Sequence, residues 1–93
     1  MDTTGLPGAE LVEQGLHDLA AGYETVPALL VRIGAPRLRG LGFQVPADLP
    51  GSDWPEHRLY RLLAAQHGDA AHSRYNALIR RLVSFERAAT CVR

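Results

Sequence analysis

"QHGDAAHSRY", residues 66–75, sets two histidines, His67 and His72, around Asp69, with Arg74 and Tyr75 close behind. Read as a turn, Gly68 ends one helix and Asp69 caps the next, because glycine is favoured just past a helix end and aspartate just before a helix start. The connection is then short, and the helices on either side form an antiparallel hairpin. Read as a site, the same residues bind a metal or do chemistry. The flanking sequence favours the turn.

Upstream lies "SDWPEHRLYRLLAAQHG". Asp53 suits an N-cap, Pro55 falls in the first turn, and Glu56 completes an Asp-x-x-Glu arrangement. Leu59, Leu62 and Leu63 form an apolar stripe, extended by Tyr60, so a helix is expected over about 54–67. His67 falls in its last turn, where a cationic side chain suits the helix dipole. Downstream, Tyr75, Leu78, Ile79, Leu82, Val83 and Phe85 recur at helical spacing, with Ala89 and Val92 beyond. They predict a helix over about 70–91. Such a rod is about 33 Å long at roughly 1.5 Å per residue and is expected to be the spine of the fold.

Toward the N-terminus, Pro7 suits a first helical position. Leu11, Val12, Leu16, Leu19 and Tyr23 then share one side, opposite Glu10, Glu13 and Asp18. This predicts a helix over about 8–21 with Gly22 as its stop. Gly15 costs that helix about 1 kcal/mol relative to alanine and marks a candidate close approach of another helix. In "ETVPALLVRIGAP", Thr25 can cap and Pro27 fits a first turn, while Gly34 with Pro36 reads as a stop. The expected helix covers about 26–33. A strand is the competing reading. Helix is preferred because Pro27 suits a helix start and no second strong strand is present to pair with it.

Residues 34–53 hold four glycines and three prolines. "PRLRGLG" can make one helical turn from Pro36. Leu38, Leu41, Phe43, Val45 and Leu49 recur through the stretch, which a flexible linker would not carry. An ordered Pro/Gly-rich connection lying over the core is expected, and long ordered loops often carry function. The whole chain of 93 residues suits a single domain. The fold expected is all-α: a small bundle of about four helices with a C-terminal antiparallel hairpin.

Cys91 is the only cysteine, so no intrachain disulfide forms. "MDTTGLPGAE" has neither the positive start nor the apolar run of a secretory signal. The apolar run "VPALLV" is too short to span a membrane. A cytoplasmic chain is expected, with no cofactor: no glycine-rich phosphate-binding motif occurs, and Ser73 and Ser84 lack a G-x-S-x-G setting.

The metal alternative needs His67, Asp69 and His72 to converge. They lie on both sides of a helix break, and no H-E-x-x-H spacing is present. A catalytic alternative uses Arg61 and His67, which read as Arg-x5-His. This spacing resembles the Arg-x4–6-His signature of the HEPN ribonucleases, over seven residues of 93. The resemblance implies an all-helical, metal-independent ribonuclease in which His67 is the acid/base group and Arg61 contacts phosphate.

All ten basic residues are arginine. Residues 1–54 hold three arginines against seven acids, a balance of −4, and residues 55–93 hold seven against three, a balance of +4. One consequence is packing of the acidic first helix beside the basic last two, with Arg–carboxylate pairs at the rim. A second is a phosphate-tracking stripe: Arg74 and Arg81 are seven apart, and Arg80 and Arg87 repeat the spacing. Net charge of zero and a pI near 6.9 argue against nucleic acid as the partner. The broad apolar arc of the last helix favours a two-fold dimer over a monomer. The function expected is therefore non-catalytic. It is a small interaction or regulatory module that self-associates or docks a protein partner, with Arg74, Arg80, Arg81 and Arg87 as its binding residues.

Overall fold

The computed structural model of the chain describes residues 5–46 and 54–92. These residues form α1 (Ala9–Ala20), α2 (Val26–Gly40), α3 (Pro55–His67), a 3₁₀ turn (Gly68–Ala70) and α4 (Ala71–Val92). No strand occurs among the described residues, and the fold is all-α. Among the described residues no helix is long and apolar enough to cross a membrane.

Helix α1 starts at Ala9, two residues after Pro7. Gly8 precedes it with φ of 76°, a conformation that favours glycine. A β-carbon on Gly8 would also lie 2.8 Å from the Arg81 carbonyl oxygen of α4. The helix ends in a Schellman motif. The Tyr23 amide donates to the Asp18 carbonyl (2.8 Å), the Gly22 amide donates to the Leu19 carbonyl (3.1 Å), and Gly22 has φ of 84°.

Helix α2 corrects the expected bounds. It runs through Gly34 and Pro36 to Gly40, seven residues past Ile33. Pro36 removes one backbone donor from the ladder, yet Ala35, Leu38 and Leu41 around it are buried, and their packing outweighs the lost bond. Gly34 is a packing contact and not a stop: a β-carbon there would lie 3.0 Å from Leu82 Cδ1. The true stop is Gly42, with φ of 100°. It forms a second Schellman motif, Phe43 amide to Leu38 carbonyl and Gly42 amide to Arg39 carbonyl, both 3.0 Å. Beyond it, Arg39 donates to the Val45 carbonyl from Nε (3.2 Å) and from Nη2 (3.1 Å), pinning the segment that buries Leu41 and Val45.

Helix α2, rather than α4, is the centre of the molecule. It packs against α1, α3 and α4, and Ala28, Leu29, Leu30, Val31 and Leu38 are fully buried. Helix α4 contributes Leu82, Phe85 and Ala89, and the Phe85 ring meets Phe43 at 5.6 Å between centroids. At Gly15, α1 and α2 come so close that a β-carbon would sit 2.3 Å from the Pro27 carbonyl oxygen and 2.4 Å from Val31. Beside this contact Thr25 caps α2, accepting from the Ala28 amide (3.3 Å) and donating to Asp18 (2.6 Å). Gln14 donates to the same carboxylate (2.8 Å).

The capping expected of Asp53 falls outside the described residues; Trp54 directly precedes α3. Asp69 lies inside the 3₁₀ turn, and α4 begins at Ala71. Helices α3 and α4 meet through Tyr60 and Tyr75, with ring centroids 6.0 Å apart.

Candidate functional site

A groove of about 360 Å³ opens between the end of α3, the middle of α4 and the first residue of α2. Leu63 of α3, Leu78 and Ala77 of α4 and Val26 of α2 make its apolar part. Gln66, His67, Arg74 and Arg81 make its polar part. Local structure explains the convergence. Arg74, Leu78 and Arg81 are spaced by four and three, so one face of α4 carries them all. His67 closes α3, and a three-residue 3₁₀ turn leads from it directly into α4.

The four arginines named from the sequence divide into two pairs. Arg74 and Arg81 line the groove; Arg80 and Arg87 are exposed on another side of α4, about 120° around the helix at 3.6 residues per turn. Arg81 already has a partner in Glu10 of α1. Arg58 holds Glu24 through Nε (2.8 Å), and Arg32 lies 3.8 Å from the same carboxylate. The acidic N-terminal half therefore pairs with arginines of the basic C-terminal half within one chain. Such exposed pairs contribute about 0–1 kcal/mol each.

Arg61 does not join His67. Six positions apart on α3, they point about 120° away from one another, and Arg61 does not line the groove. Asp69 and His72 are exposed, and His72 instead meets Asn76 at 3.2 Å. Among the described residues no three His, Cys, Asp or Glu side chains gather where they could hold a metal ion.

Two carboxylates are buried against expectation: the sequence reading set Asp18 on the polar side of α1 and did not single out Glu86. Asp18 is held below the usual carboxylate range, chiefly by hydrogen bonds from Thr25 and Gln14. Burial pushes the Glu86 carboxyl up, with Arg37 pulling the other way. The signal for Glu86 was present: it lies three, four and seven residues after Val83, Leu82 and Ile79, on the side of α4 that those apolar residues mark. Burial also pushes the Tyr75 hydroxyl up, helped by Glu56. Compared with family models, with curated proteins and with solved structures, the chain matches none.

Proposed function

We propose that this chain is a small non-catalytic interaction module that docks an acidic, apolar-bearing segment of a protein partner. In this reading α3 and α4 work as an antiparallel helical hairpin, and the segment lies along the groove between them. One observation carries the proposal: Arg74 and Arg81 flank Leu63 and Leu78 in a single groove. The arginines offer planar forks for carboxylates, and half-buried Leu78 and Val26 with exposed Ala77 offer apolar area for affinity. Net charge of zero leaves no long-range attraction for a polyanion, so the reading favours a protein segment over nucleic acid.

The test is titration of the ¹⁵N-labelled full chain with a short peptide of leucine and glutamate, and separately with an RNA duplex. Peptide-dependent shifts at Leu63, Ala77 and Leu78 that vanish in Arg74→Glu support the proposal. Shifts on RNA alone would transfer the groove to nucleic acid.

A second reading is self-association, favoured by Arg80 and Arg87. They are exposed on the outer side of α4, and no ion pair to another described residue is seen for either. Exposed Glu10 of a second copy complements them in charge, by exchanging its own Arg81 for them. Light scattering after size exclusion should then give a dimer that Arg80→Glu with Arg87→Glu converts to monomer. A monomeric wild-type chain would refute this reading and leave the groove untouched.

A further inference from the structure

On another side of α4, a second cleft of about 280 Å³ lies against the C-terminal half of α2. Ile33, Ile79 and Val83 form apolar walls, and Glu86 and Arg37 are its charged lining residues. Glu86 is 6% exposed. Its carboxylate takes no hydrogen bond from any described residue; the bond from Thr90 goes to its backbone carbonyl. Arg37 is an opposite charge that acts on it, but a buried carboxylate without a hydrogen bond remains costly. Gly34 lets α2 approach this carboxylate closely: a β-carbon there would sit 3.2 Å from Glu86 Oε2.

The lining selects its own ligand. A lone cation would suit Glu86 but meet Arg37, and a lone anion would suit Arg37 but meet Glu86. A dipolar ion satisfies both. The volume falls just below the roughly 300–1,000 Å³ of sites for drug-sized molecules, which fits an amino-acid-sized ligand. We infer that this cleft binds a small zwitterion with an apolar side chain, an aliphatic α-amino acid being the simplest member. The ammonium meets Glu86, the carboxylate meets Arg37, and the side chain packs between Ile33, Ile79 and Val83. This inference is independent of the groove at Arg74 and Arg81.

The experiment is titration of the ¹⁵N-labelled full chain with L-isoleucine, and with n-butylamine and butyrate as its two halves. Expected are saturable isoleucine shifts at Gly34, Arg37, Ile79 and Val83, with each half binding about tenfold weaker or less, since each leaves one charge unpaired. Glu86→Gln should keep the fold, which circular dichroism checks, and weaken isoleucine binding about tenfold or more. Absence of isoleucine shifts, n-butylamine binding as tightly as isoleucine, or full binding by a folded Glu86→Gln chain would each overturn the inference.

Discussion

A β-carbon on Gly15 meets the Pro27 carbonyl at 2.3 Å, whereas one on Gly40 meets nothing within 4 Å. Both glycines are helical, so propensity alone predicts that alanine stabilises at each. Packing reverses the sign at Gly15. Gly15→Ala should destabilise by about 1–3 kcal/mol, as overpacked cores do, while Gly40→Ala should stabilise by about 0.4–1 kcal/mol. Thermal unfolding of the two variants checks both signs, at roughly 4–8 °C per kcal/mol for a domain of this size. Asp18 gives a pH-dependent counterpart. Hydrogen bonds from Thr25 and Gln14 hold its folded pKa below the unfolded value. Its contribution is therefore present above the ordinary carboxylate range and is lost as pH falls through the folded value. Asp18→Asn should be less stable than wild type at neutral pH, and the gap should close in acid. A gap that stays constant in acid denaturation curves would remove the charge from the explanation. Glu86 runs the other way. Its raised pKa contributes stability in acid that is lost as pH rises through the folded value, so Glu86→Gln should be the more stable chain at neutral pH.

Helix α2 shows what a proline inside a helix costs when the core overrides it. Pro36 lies mid-helix and exposed, with no amide for the Arg32 carbonyl. Pro36→Ala should restore that bond and stabilise by at least about 1 kcal/mol, allowing for a freer unfolded chain. Amide exchange at residue 36 should then be slow; fast exchange with unchanged stability would mean that the helix is open there. The same helix marks where sequence reasoning stops. Apolar periodicity displayed α1, α3 and α4, because one face of each is buried and the other wet. Helix α2 is buried on several sides and gives no such stripe. Gly34 and Pro36 read locally as a stop, and only the contact with Leu82, 48 positions on, shows otherwise. The stop at Gly42 was legible in "RGLGF", as a glycine followed by an apolar residue that returns to the last turn. The groove divides likewise. A spacing of seven put Arg74 and Arg81 on one side of α4, but nothing local places Val26 and Leu63 opposite them.

Across the described residues, N-terminal acids meet C-terminal arginines, Glu24 with Arg58 and Glu10 with Arg81, and the Glu10–Arg81 pair is where this touches the groove. A docking carboxylate competes with Glu10 for Arg81. Glu10→Gln should therefore change stability by no more than about 1 kcal/mol yet raise affinity for the acidic peptide, and added salt should shrink the difference. Peptide titrations at low and high ionic strength decide this. Lower affinity in Glu10→Gln would mean that the pair positions Arg81 rather than occupying it. The close seat of α1 on α2 at Gly15 also has a consequence in time. It joins residues only a dozen positions apart in sequence, Gly15 with Pro27, whereas α4 is tied to the rest through pairs as distant as Gly8 and Arg81. Closing the short loop costs less chain entropy, so α1 and α2 should dock before α4 closes on α1, while α3 and α4, joined as locally through Tyr60 and Tyr75, can pair early as well. Thr25→Ala should then chiefly slow folding, and a mild truncation at Leu82 should chiefly speed unfolding, each visible in its own arm of the chevron.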